Sequence, residues 1–158
     1  MRLRTAQNSD AEAIAAIWRA AIRITCAPAY GFDETILSPW ADDKTPERVR
    51  ELIALEEFFL VADDVGSVRG FICGTFALNT FALFVAPDAQ RCGTGSRLFR
   101  CYERMAEAAG ETQLIFHSSL NAVSFYQRMG AEIDGPVLQH PRPCIPMRKI
   151  LKNGKGSV

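Results

Sequence analysis

The chain has 158 residues, enough for one domain with a buried core, and its 18 basic and 18 acidic side chains cancel. This balance offers no electrostatic case for a nucleic-acid or anionic-membrane partner, and no apolar run approaches a membrane span. Five scattered cysteines (Cys26, Cys73, Cys92, Cys101, Cys144) without a Cys-x-x-Cys pair, and two distant histidines, point to a reduced cytoplasmic setting and no metal. The start, MRLRTAQNSD, lacks the apolar segment of a secretory signal.

In chain order, Met1–Ala6 alternates as an edge strand. Ser9-Asp10-Ala11-Glu12 reads as a capping box, opening a helix with Ile14, Ile17, Trp18 and Ala21 on one face. Cys26–Asp43 reads as irregular, and its aromatic residues have two readings: packing over the core edge, or the wall of a substrate pocket that includes Tyr30 and Trp40. Thr45-Pro46-Glu47 starts a second helix, whose apolar side is Val49, Leu52, Ile53 and Leu55. Phe58–Ala62 and Val68–Ala77 form a hairpin joined by Asp63–Ser67, and Leu78-Asn79-Thr80 turns into a short apolar strand, Phe81–Val85. Pro87 ends that strand, because proline cannot donate to a ladder.

Gly93 and Gly95 then precede a helical pattern of Leu98, Tyr102, Met105, Ala106 and Ala109, with Gly110 as its stop. A glycine-rich turn opening a helix gathers free N–H groups at the positive end of the dipole, which suits a phosphate or pyrophosphate. No Lys-Ser/Thr pair follows, so this is not a P-loop, and Leu98 stands where a dinucleotide fingerprint needs its third glycine. Gln113–Phe116 is a strand and Leu120–Met129 a short helix ending at Gly130. Ala131–Val137 and Cys144–Leu151 close the domain as an antiparallel pair. Residues 1–151 read as one domain, and 152–158 as a frayed polar tail.

Two motifs carry a family resemblance. Gln90-Arg91-Cys92-Gly93-Thr94-Gly95 resembles the acyl-CoA motif Gln/Arg-x-x-Gly-x-Gly/Ala of the GNAT acetyltransferases. About thirty residues later, Ala122, Phe125, Tyr126 and Gly130 fit the second hallmark, Ala-x-x-Phe-Tyr-x-x-x-Gly. The resemblance implies an α+β GNAT fold, a mostly antiparallel mixed sheet of about seven strands flanked by four helices, with splayed central strands. It implies acetyl-CoA as cosubstrate, held by backbone at Phe84 and Val85 and by the turn Gln90, Arg91, Cys92, Gly93, Thr94, Gly95 and Ser96. Ser119 stands where many members have a cofactor-binding asparagine, and Asn121 is the alternative, although either could be a helix cap. Tyr126 matches the general acid that protonates the leaving thiolate, and a core aromatic is the competing reading.

The general base is not identified by the resemblance. A family glutamate twelve residues before the tyrosine is Leu114 here, which leaves His117 or a carboxylate acting through water. The implied reaction is direct attack of a small-molecule amine, or a peptide amine, on acetyl-CoA. The alternative is a non-catalytic CoA-binding module. A homodimer is suggested by family analogy alone.

Overall fold

The computed structural model describes residues 1–78 and 80–152. The turn expected at Asn79 and the polar tail from residue 153 onward lie outside them. Strands β1 (Arg2–Thr5), β2 (Phe58–Asp64), β3 (Ser67–Thr75) and β4 (Thr80–Val85) form an antiparallel meander in that order. Strands β5 (Gln113–Ser119), β6 (Glu132–Ile133) and β7 (Cys144–Ile150) form a second antiparallel sheet in the order β5-β7-β6. β1 is the expected edge strand, and Glu132–Ile133 with Cys144–Ile150 is the expected closing pair.

Side chains on β2 alternate between two apolar layers, which is why Phe58–Ala62 reads as a continuous apolar run. Phe59 and Val61 pack with Phe71, Ile14, Trp18 and Val49, under helices α1 (Ala11–Ala20), α2 (Glu34–Ala41) and α3 (Pro46–Leu55). Phe58 and Ala62 pack with Ile72, Leu98, Phe99, Tyr102 and Tyr126, under α4 (Thr94–Ala108) and α5 (Val123–Arg128). Among the described residues, five α-helices thus stand where four were expected. Leu55, assigned to the apolar side of α3, is exposed at its last turn, while Val49 carries the burial.

The additional helix is α2, inside the stretch read as irregular. Asp33 caps it, accepting from the Thr35 N–H at 2.9 Å and the Thr35 hydroxyl at 2.7 Å. Pro39 inside the helix removes one N–H donor, a cost of about 3 kcal/mol. Burial of Leu37 and Trp40 offsets it, at about 1.5–3 kcal/mol for a large apolar side chain. Before it, α1 widens into a π-helical turn, Ala21–Cys26, and tightens into a 3-10 turn, Ala27–Tyr30, which ends at Gly31 with φ +64°.

The first cap also differs from expectation. Asp10 accepts from the Gln7 N–H at 2.8 Å, so the chain turns into the helix two residues before Ser9, and Glu12 pairs with Arg50 instead. Arg4 of β1 donates to both Asp10 oxygens at 2.8 and 2.9 Å. This ties the edge strand to the start of the first helix. Asp10→Ala is expected to cost about 2 kcal/mol in denaturant unfolding, since bonds to charged groups contribute about 1.5–3 each. The Arg4 guanidinium holds the Asp10 carboxyl below its ordinary range. That stabilisation is full above the unfolded carboxylate pKa of about 3.9 and is lost as pH falls through the folded value. The stability gap between wild type and Asp10→Ala therefore closes in acid.

Candidate active site

β4 and β5 run side by side without a ladder between them, each belonging to a different sheet. They meet at Phe81 and Phe116, whose ring centroids are 5.1 Å apart. Beyond that contact lies a cleft of about 560 Å³, lined by Leu83, Phe84 and Val85 of β4 and by Ser119 at the end of β5. Backbone groups left without a ladder partner need another one, and a ligand lying in the gap can supply it.

The floor of the cleft is the turn into α4. Gly93, at φ +80°, sits at the helix cap, and Arg91 takes the left-handed region at φ +60°. Left-handed residues alternating with right-handed ones turn successive N–H groups toward one concavity, an arrangement that binds anions. Thr94, Gly95 and Ser96 form the first turn of α4, where N–H groups have no helical acceptor. Among the described residues, no N–H from Arg91 to Ser96 donates to another protein group. The glycines have different tasks. Gly93 supplies the positive φ, whereas Gly95 lines the cleft, where a Cβ would come into ordinary contact with the Phe125 ring at 3.4 Å.

Ten of the sequence-derived residues (Phe84, Val85, Gln90, Arg91, Gly93, Thr94, Gly95, Ser96, Ser119 and Asn121) line this one cleft together with Tyr126. Asn121 carries a buried Oδ1 with no hydrogen-bond partner among the described residues. Tyr126 is buried, with edge-on contacts to Phe116 at 4.7 Å and Phe125 at 5.0 Å. Burial pushes its phenol pKa above the ordinary value, so the hydroxyl keeps its proton at neutral pH.

Three expected site residues stand elsewhere, and so does the side chain of a fourth, Cys92, whose N–H stays in the turn. Cys92 is exposed, with its thiol 3.5 Å from the Gln90 carbonyl and outside the cleft lining. On β5, Leu114, Phe116 and Ser118 are buried and His117 is exposed opposite Pro146, so the period-two alternation turns His117 away from the cleft lining. Tyr30 and Trp40 are buried struts, not pocket walls. The Tyr30 hydroxyl donates to the Pro143 carbonyl at 2.7 Å and accepts from the Leu120 N–H at 3.1 Å. Trp40 packs against Tyr30 and beneath Arg142. Tyr30→Phe is expected to lose about 1–3 kcal/mol of stability in denaturant titration, because it leaves the Leu120 N–H and the Pro143 carbonyl unpaired.

Ala21, Thr25 and Cys26, on the π-helical turn, complete the cleft wall and were not marked by any sequence motif. Gln90 Nε2 donates to Thr25 Oγ1 at 3.3 Å, linking that turn to the glycine loop. Burial raises the Cys26 thiol to about 11, against the opposing effect of the neighbouring Asn121 amide, so it is an inert wall residue at neutral pH. Among the described residues that line the cleft there is no carboxylate and no histidine. Among the described residues, no helix is long and apolar enough to cross a membrane.

Residues 26–151 match the family described as Acetyltransferase (GNAT) domain. No curated protein matches the chain. Solved structures with the same fold include a GCN5-related N-acetyltransferase from Rhodopseudomonas palustris, 25% identical, covering 95% of both chains with a TM-score of 0.79. A PaiA N-acetyltransferase from Thermoplasma acidophilum in complex with coenzyme A is 20% identical, over 94% of this chain and 98% of that one, with a TM-score of 0.78. A phosphinothricin acetyltransferase from Sinorhizobium meliloti in complex with acetyl-CoA is 19% identical, over 99% and 91%, with a TM-score of 0.70.

Proposed function

The chain belongs to the GNAT acetyltransferase family, and on that premise we propose that it moves an acetyl group from acetyl-CoA to a primary amine by direct attack. The observation carrying this reading is the meeting of two features in one cleft: unpartnered amides at the start of α4, and the buried phenol of Tyr126. Acetyl-CoA supplies the activated thioester. The N–H groups of Arg91 to Ser96 hold its diphosphate, with the helix dipole adding favourable field. Gly95 leaves room for close approach, and Phe84, Val85 and the Asn121 amide orient the pantetheine arm. Tyr126 donates its proton to the sulfur that leaves, and the proton the nitrogen loses as the amide forms restores the phenol.

With no carboxylate or histidine among the described residues of the cleft lining, the amine sheds its proton to solvent and attacks as the free base. The acceptor is a small-molecule amine or a peptide amine. Thiol release from acetyl-CoA, followed with a panel of amines, tests this reading. The expected result is release that depends on the amine. Tight coenzyme A binding with no turnover for any amine would favour a non-catalytic binding module.

A further inference from the structure

The loop between β6 and β7 carries a cation, Arg142, that has no counter-ion among the described residues. Arg142 is partly buried, and its guanidinium lies 4.1 Å from the centre of the Trp40 ring. Such a stack fixes the plane of the group. Trp40 is held in turn by Tyr30, at 5.4 Å between centroids, and by the cleft residue Phe84, at 6.4 Å. The next residue, Pro143, is pinned by the Tyr30 hydroxyl at 2.7 Å. Arg142 is therefore set in place by its ring contact and by its backbone neighbour.

Among the described residues, no carboxylate forms an ion pair with Arg142. Asp43, whose field reaches it, is engaged by Lys44 at 2.5 Å. Burial lowers the Arg142 pKa more than any neighbour raises it, so the charge is held partly desolvated without a partner among the described residues. Its field also reaches the Cys26 thiol on the cleft wall. A guanidinium presents a rigid fork that matches a carboxylate, and partial desolvation strengthens the attraction.

We infer that Arg142, stacked on Trp40 beside the cleft, recognises a carboxylate or equivalent oxyanion on the acceptor, making the acceptor a small amine that also carries an acid. This inference rests on the acetyl-transfer reading above. The competing explanation is packing alone, with the arginine stem covering Trp40 and its head in water.

The test uses matched pairs of ω-amino acids and their neutral amides as acceptors, with wild type, Arg142→Gln and Arg142→Lys. Wild type is expected to prefer the acid by about tenfold or more in kcat/KM, the range of a charge-assisted pair. Arg142→Gln is expected to lose that preference, chiefly through KM, and Arg142→Lys to keep part of it. Coenzyme A affinity, measured in parallel, stays at the wild-type value in both variants, because Arg142 does not line the cleft. An acid preference unchanged in Arg142→Gln, or turnover of the neutral amines alone, overturns the proposal and leaves acetyl transfer standing. No thiol release with any amine of either kind overturns both.

Discussion

Tyr126→Phe is expected to lower kcat by about a hundredfold, the low end of what a positioned acid contributes, while coenzyme A affinity stays near wild type. The substitution removes one oxygen and leaves the ring. The edge-on contacts with Phe116 and Phe125 remain, so folding is preserved. The phenol must be protonated to act as an acid. Burial raises its pKa, which keeps the proton in place throughout the range below the ordinary tyrosine value of about 10. Wild-type kcat/KM should therefore climb with pH as the acceptor amine deprotonates, with no fall from Tyr126 below about pH 10. Steady-state kinetics from pH 6 to 10 would check both statements. Undiminished kcat in Tyr126→Phe would remove the acid assignment and leave the residue as core packing.

The second large effect is expected from Ser96→Glu. Ser96 is the third residue of α4, where a carboxylate complements the helix dipole and contributes about 0.3–1 kcal/mol to stability. The same carboxylate stands in the cleft against the diphosphate. Thermal stability should hold or rise, whereas coenzyme A affinity should fall by about a hundredfold, the effect of roughly 2.7 kcal/mol of repulsion. Opposite signs in the two measurements separate loss of an anion site from loss of the fold. Unchanged affinity by calorimetry would place the diphosphate elsewhere.

What could be read from the chain depended on how local the cause was. Phe81–Val85, its stop at Pro87 and the left-handed Gly93 are set by neighbouring residues, and the strand and the helix cap stand where the pattern puts them. In the Cys26–Asp43 stretch the local signals, Pro28, Gly31 and Pro39, all speak for loop, whereas the structure holds a helix there. Tertiary burial of Leu37 and Trp40 overrode the proline in α2. His117 is a different lesson. Buried Leu114, Phe116 and Ser118 share one face of β5, so the alternation already placed His117 opposite.

The cleft itself was not legible from residues alone. It exists because β4 and β5 join different sheets, a property of pairings between β5 and β7 about thirty positions apart in the chain. The same is true of Ala21, Thr25 and Cys26, which reach the cleft through a π-helical turn that no residue pattern announced. Arg142 stood in a proline-rich loop with no motif. Its stack on Trp40 joins two segments about a hundred residues apart.

The most direct test is a titration of isotope-labelled protein with coenzyme A, following backbone amide resonances. The account predicts that the amides from Arg91 to Ser96 shift strongly and gain protection from solvent exchange, with smaller changes at Phe84, Val85 and Asn121. Saturating binding that leaves the Arg91–Ser96 amides unmoved, or no binding at all, would contradict it.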